Sequence, residues 1–441
     1  MVSTDPATDV DPRKFITEKG AALNYGQLRG LVAKFQSVPG VIGLHGGLPP
    51  PDAFPMLSLD IKLRDGSTVT VGENDLVQGQ LQYGIHPSGL PSLRDWATRH
   101  VADLHGAPRP TTTIIVGGAS QGLSALFSML FDPGDSMVVE ELSYPQVSEC
   151  LAAPDRINLV PIATNDGGMC PLALTKGLEG IRKSGTQPFP KLLYTVPTAQ
   201  NPTGTNTGLE RRKEIYEVCR AYDLLILEDD PYYYLQFPHG SGDVPGLRGL
   251  PRAASYLSLD VDGRVLRLDS ASKFLAPGLR LAWLTCHPRL AEVAACAVQT
   301  QTLGACGVAQ AMAAALLSSW GEAGLHDHLS HVQRIYAERA QAMHAAAQRH
   351  LEGLARWSLP RAGMFLWMTI LGVEDASQLT AALVEAKVVV APGRIFHARS
   401  GLPGTAVPCV RLAFSFETPE NIEEAVARLA QALRLHRDQK S

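Results

Sequence analysis

The chain has 441 residues, 45% hydrophobic and 19% charged, with 39 Lys and Arg against 43 Asp and Glu. That length accommodates two or three domains of ~150 residues and a core that needs no disulfide staples. A formal net charge of −4 excludes the basic excess of a chain that binds nucleic acid or an anionic membrane surface.

In chain order, a helix is predicted over Tyr25 to Phe35, and Gly46-Gly47-Leu48-Pro49-Pro50-Pro51 reads as loop. Short apolar runs then alternate with helical patterns. The strand candidates are Thr113–Val116, Ser136–Val139, Lys191–Val196, Leu224–Leu227, Arg264–Leu268 and Leu281–Leu284, with helices such as Leu209–Tyr222 between them. This alternation is the mark of an α/β fold with a largely parallel sheet covered on both faces. Residues 291 to about 350 are Ala-rich and helical. Beyond Pro360 the pattern changes to a smaller α+β region: strands over Gly363–Met368, Val388–Val390 and Val410–Phe414, a helix over Ala376–Ala386, and a last helix capped by Thr418 with Pro419 at its first position.

The seven cysteines are widely spaced and form no C-x-x-C, against a disulfide framework and against zinc. No metal site is expected. The N-terminus has no apolar targeting core, and Val308–Leu317 is too short to span a bilayer. A cytoplasmic protein is expected, with no membrane or nucleic-acid partner.

Five segments carry candidate chemistry. Ser270-Ala271-Ser272-Lys273 follows a strand directly, where open α/β sheets place ligands, with Arg280 close behind. A desolvated lysine amine forms Schiff bases with carbonyl cofactors, and two hydroxyls with an arginine suit a phosphate; a solvated lysine on a turn is the alternative. Leu224–Leu227 feeds Glu228-Asp229-Asp230-Pro231-Tyr232. A carboxylate buried there needs a cation such as a protonated pyridine nitrogen, or else the segment is a metal site or a solvated acidic turn. Asn201-Pro202-Thr203-Gly204 is a tight turn with an amide side chain, or an ordinary Asn-Pro turn. Gly117-Gly118-Ala119-Ser120 opens a helix whose free N–H groups suit phosphate; it is not a dinucleotide fingerprint. Arg411, inside an apolar strand, calls for an anion, either a ligand or a structural partner.

In this order the segments resemble the class I/II aminotransferases of pyridoxal-phosphate (PLP) fold type I. The resemblance is to the subgroup of kynurenine, α-aminoadipate and aromatic aminotransferases. It is carried further by Leu81-Gln82-Tyr83, Tyr194-Thr195-Val196-Pro197, Asp260-Val261-Asp262-Gly263-Arg264 and Ala362-Gly363-Met364-Phe365-Leu366-Trp367. It implies a large domain with a mostly parallel seven-stranded sheet and a smaller α+β C-terminal domain, divided here as 1–60 (N-terminal arm), 61–325 (PLP-binding) and 326–441. It implies that Lys273 carries the cofactor and shuttles the proton, and that Asp229 pairs with the pyridinium nitrogen. Asn201 and Tyr232 would bond the phenolic oxygen, and Tyr144 would stack on the ring. Ala119, Ser120, Ser270, Ser272 and Arg280 would hold the phosphate, with Tyr83 reaching in from the second subunit of a homodimer. Arg411 would bind the substrate α-carboxylate, with Gly47, Leu48, Asn201 and Arg29 around the substrate. The sequence departs from the family where Ala119 replaces a hydroxyl residue and where His45 replaces a small one.

The implied reaction moves an amino group from an aromatic, kynurenine-type or 2-aminoadipate-type L-amino acid to a 2-oxo acid such as 2-oxoglutarate, in a ping-pong cycle. The alternative on the same residues is a PLP-dependent lyase, decarboxylase or cyclising enzyme, since substrate orientation selects the bond that breaks. A PLP-binding regulator lacks room for its DNA-binding segment, and a nicotinamide oxidoreductase lacks its glycine fingerprint.

Overall fold

Runs of β-branched and leucine residues that stop at a glycine or a polar residue become the buried strands of this protein. The computed structural model describes residues 9–28, 30–31, 38–40, 42, 44, 47–76, 80–84, 87–237, 254–399 and 405–438. The helix expected over Tyr25 to Phe35 lies partly outside them, and Arg29 and His45 lie outside them altogether. The chain divides into two compact units, Met1–Asp132 with Tyr256–His326, and Pro133–Ser255 with Asp327–Ser441. Each takes two stretches of chain.

In the first unit, Ala282–Cys286 runs antiparallel between Thr112–Val116 and Val265–Ser270. Its two neighbours are therefore parallel to one another. Ser270 pairs with Ala282, and Ala282 pairs with Val116. The exits of the two parallel strands thus lie in one row, two strand spacings or ~10 Å apart. Helix Ala119–Leu130 begins at one exit and the turn Ala271–Lys273 at the other.

In the second unit four parallel strands take the order Leu225–Asp229, Leu192–Thr195, Ser136–Glu140, Asn158–Ile162. Three of these were predicted. The fourth carries Pro161, which removes a ladder donor and hides the strand from a pattern reading. The fold tolerates it because Asn158–Ile162 is the last strand in this order. Among the described residues these strands number seven across the two units, with Ala282–Cys286 the antiparallel one. That is the count and the mostly parallel character that the resemblance implies.

The second unit also holds an antiparallel four-stranded sheet, ordered Ala355–Trp357, Phe365–Ile370, Cys409–Ala413, Ala391–Pro392. Its core includes Leu366, Met368, Val410, Phe414, Val426 and Leu429. Burying a side chain of this kind contributes ~1.5–3 kcal/mol. The strand expected over Val388–Val390 does not form. Helix Thr380–Glu385 ends in a turn that places Lys387 at φ 57 and spends the Val388 N–H on the Leu383 carbonyl. Val389 is left 82% exposed, and pairing starts only at Ala391. The last helix, Pro419–Asp438, is capped as predicted, with Asn421 N–H donating to Thr418 Oγ1 at 3.3 Å.

Candidate active site

The first unit gathers the lysine and the residues suited to a phosphate. Gly118, at φ 87, closes the turn between its strand and helix Ala119–Leu130. No side chain caps that helix, and a helix start of this kind suits an anion. The Arg280 guanidinium fills the place where a side chain at Gly118 would project. It is anchored by Nη1 donating to the Pro277 carbonyl at 3.1 Å. On the neighbouring exit, Ser270 Oγ accepts from Ser272 N–H at 3.2 Å, closing the turn that ends at half-buried Lys273. Glycine is required at 118 both for its positive φ and for the closeness of Arg280. An open pocket of about 650 Å³ is lined here by Gly117, Ser120, Ser124, Arg280 and Thr302, among others. Ala119 contributes only backbone at the helix start. Tyr83 is 56% exposed, and its neighbour Gln82 donates to the Pro49 carbonyl at 2.8 Å.

The second unit gathers the carboxylate, the amide and the arginine. Glu228, Asp229 and Asp230 are all buried, which rules out a solvated acidic turn. Each has its own partner. Arg212, itself 0% exposed, pairs with Glu228 at 3.4 Å and donates to the carbonyls of Pro197 and Thr207. Thr198 Oγ1 donates to Asp230 at 3.2 Å. Tyr194 donates its phenol to Asp229 Oδ2 at 2.9 Å. Among the described residues no cluster of His, Cys, Asp and Glu is suited to a metal.

In the sequence Tyr194 belongs to a buried strand and to a segment of the family resemblance, with no role of its own assigned. It sits one residue before the strand end, and its side chain shares a face with Asp229. Burial and the Asp229 charge hold its phenol well above the ordinary range, so it donates rather than ionises. Tyr232 is raised as well, by burial first and by Asp229 second, while the Arg411 charge and a bond from Asn201 pull it back. Tyr144, half-buried, donates to Gln146 Oε1 at 2.8 Å.

Arg411 lies in Cys409–Ala413, opposite Trp367 on one side and Ala391 on the other. Its Nη1 donates to Asn201 Oδ1 at 2.6 Å. Its guanidinium carbon stands 4.1 Å from the centre of the Phe365 ring and 4.6 Å from that of Phe396. Burial lowers its pKa, against the pull of Tyr232 and Tyr144. Its Nε has no hydrogen-bond partner among the described residues. The structure thus brings Asn201, Tyr232 and Arg411 together. It adds Phe365, which the sequence places in a strand and in a segment of the family resemblance, and Phe396, which no sequence signal singles out.

The model of the family "Aminotransferase class I and II" matches residues 75–429. The chain belongs to this family. It is therefore an aminotransferase, and it acts on amino acids and 2-oxo acids. It is 34% identical over 436 residues to the mitochondrial kynurenine/alpha-aminoadipate aminotransferase of Mus musculus, covering 96% of this chain and 98% of the relative. The crystal structure of the aromatic aminotransferase Aro9 from C. albicans is similar, with a TM-score of 0.88 at 26% identity over 98% of this chain and 99% of that one. The kynurenine aminotransferase of Pyrococcus horikoshii, solved in complex with PMP, has a TM-score of 0.74 at 26% identity, covering 97% of this chain and 98% of that one. The family and such neighbours imply pyridoxal phosphate as the aminotransferase's cofactor. The residues fit it: the uncapped helix start, Ser270, Ser272 and Arg280 suit a phosphate dianion, and the buried Asp229 suits a protonated ring nitrogen. Among the described residues no helix of this aminotransferase is long and apolar enough to cross a membrane.

Proposed function

We propose that this aminotransferase takes the amino group of an aromatic, kynurenine-type or 2-aminoadipate-type L-amino acid and passes it to a 2-oxo acid such as 2-oxoglutarate in a ping-pong cycle. The observation that carries this reading is Arg411. A guanidinium walled by Phe365 and Phe396, oriented by Asn201 and with Nε unspent, suits a carboxylate attached to an apolar or aromatic body.

When bound, the cofactor supplies the carbonyl for amine exchange and the electron sink for breaking the Cα–H bond. Lys273 would hold the cofactor covalently, and its amine would move the proton at the substrate Cα. Asp229, fixed by Tyr194, holds positive charge on the ring nitrogen, where negative charge develops during reaction. Asn201 and Tyr232 would bond the phenolic oxygen, and Tyr144 would stack on the ring. Ser120, Ser270, Ser272, Arg280 and the Ala119 N–H hold the phosphate. Gly47 and Leu48 border the substrate, and the family pattern adds Arg29.

The test is the half-reaction: cofactor absorbance of the purified protein with a panel of amino acids and no acceptor. Spectral conversion with stoichiometric 2-oxo acid supports the reading and ranks the donors. Release of ammonia or CO2 instead moves the enzyme to elimination or decarboxylation. In the same assay Arg411→Ala should raise KM for the amino acid by about 10–100-fold, the worth of a hydrogen bond to a charged group, with a smaller effect on kcat. An unchanged KM would remove Arg411 from the substrate.

The same reading makes the aminotransferase a homodimer. Ile42, Leu44, Leu48, Met56 and Leu57 are between 52% and 96% exposed, an apolar surface that a second copy of this chain would cover, and exposed Tyr83 would meet the neighbour's cofactor phosphate. Sedimentation should give ~95 kDa, twice the chain mass of 47.3 kDa; an active monomer would contradict it. Seven free thiols suit a reducing compartment such as the cytoplasm.

A further inference from the structure

The strand Ser136–Glu140 ends on a buried carboxyl group that the reaction above does not use. Glu140 is 1% exposed. Its Oε1 accepts from Thr195 Oγ1 at 3.1 Å, and its Oε2 from Gln200 Nε2 at 3.0 Å and from the Val196 N–H at 3.5 Å. All three donors are neutral, and no cation is among the groups that act on it.

Gln200 reaches further. Its Nε2 also donates to the Leu142 carbonyl at 2.6 Å, and its Oε1 accepts from the Thr203 N–H at 2.9 Å and from Thr203 Oγ1 at 2.8 Å. Its backbone closes the turn, accepting from Gly204 N–H at 2.6 Å and donating to the Thr205 carbonyl at 2.9 Å. The next residue is Asn201, whose Oδ1 receives Arg411. Hydrogen bonds and one peptide bond therefore run without a gap from Glu140 to Arg411.

We propose that Glu140 is a positioning residue for Arg411. Through Gln200, its ionised carboxylate holds the Asn201 turn in the geometry that aims the guanidinium, and a proton taken up by Glu140 loosens that hold. The inference rests on the reading of Arg411 as the carboxylate-binding group.

Its chemistry follows from the donors. Three donors match a carboxylate, which only accepts. A neutral acid must place its own O–H, and only the Thr195 hydroxyl can turn to accept it. Burial opposes the charge and pushes the Glu140 carboxyl up to about 7 from its ordinary 4.5, so both forms are populated near neutrality. The adjacent strand also carries Tyr194, whose phenol points to the opposite face and is held well above the ordinary tyrosine range by burial, by Asp229 and by Glu140 itself. Residues 196–206 and the strand Asn158–Ile162 bring no ionisable side chain. Glu228 is paired with Arg212, and Glu141 lies 3.7 Å from His397.

The sign follows from linkage. A carboxyl raised on folding contributes stability that is fully present below about 4.5 and lost as pH rises through about 7. Glu140→Gln cannot ionise and escapes that loss.

The experiment compares the holoenzymes of wild type and Glu140→Gln from pH 5.5 to 8.5, by KM and kcat for the 2-oxo acid and by thermal unfolding midpoint. Shared titrations cancel in the ratio of the two KM values. That ratio should rise from near unity at pH 5.5 to about fivefold at pH 8.5, the scale of one hydrogen bond, with kcat changing by less than about twofold. Over the same interval the midpoint of the variant should climb relative to wild type. A flat KM ratio with a moving midpoint means that Glu140 titrates without positioning Arg411, and overturns the proposal; so does the absence of both changes. If Arg411→Ala also leaves KM unchanged, the reading of Arg411 has failed first. Should Glu140→Gln not fold, Gln200→Ala cuts the same path and should raise KM at pH 8.5 with little change at pH 5.5.

Discussion

Lys273→Ala is expected to abolish amino-group transfer, with turnover falling by about 10⁴-fold or more, the upper end for loss of a positioned acid–base group. Lys273 is the last residue of a short turn, closed by Ser270, at the end of a six-residue buried strand, and is only half-buried itself. Little packing is lost, so the fold and the unfolding midpoint should stay close to wild type. The two functions assigned to the amine, covalent retention of the cofactor and movement of the Cα proton, vanish together. Cofactor absorbance and single-turnover 2-oxo acid release read them separately. A variant that keeps a tenth of wild-type turnover would sink the assignment.

Asp229→Asn is expected to cost about 10²–10³-fold in kcat, the scale of removing one preorganised electrostatic group, while cofactor affinity changes much less. The exchange keeps shape, and the amide oxygen still accepts from the Tyr194 phenol at the 2.9 Å now spanned by Oδ2. It removes the negative charge that keeps a ring nitrogen protonated. Removing a buried charge relieves its desolvation cost, so stability should be unchanged or slightly higher. That separates this variant from one that merely unfolds. A kcat near that of wild type would exclude a role for Asp229 at the ring nitrogen.

Much of this was legible in the sequence because apolar strands and the polar residues at their ends leave local signals. Arg264–Leu268 reads as a strand from its own residues, observed as Val265–Ser270, and Lys273 follows from its place beyond the strand end. What escaped was set by partners far away in the chain. Asn158–Ile162 is hidden by Pro161, which an outermost strand can carry. Val388–Val390 has every local preference for a strand, yet the helix end before it takes the Val388 N–H. The triplet Glu228-Asp229-Asp230 looks like one acidic feature. It becomes three separate environments once Arg212, Tyr194 and Thr198 arrive from other elements. Arg411 was found as a charge out of place in an apolar strand. Phe365 and Phe396, which wall it, carried no such anomaly, and neither did Gln200, whose importance lies wholly in what its amide spans.

The shared row of Val116, Ala282 and Ser270 also bears on how this enzyme tolerates change in length. Side chains alternate between faces along a strand, so adding or deleting one residue inside Ala282–Cys286 would turn its inward and outward sets over. It would also displace Arg280, two residues before the strand, from the space beside Gly118. Loop insertions distant from this row face no such penalty. New substrate preferences would therefore arise more readily by lengthening and shortening loops than by editing the strands that hold the lysine and the arginine in register.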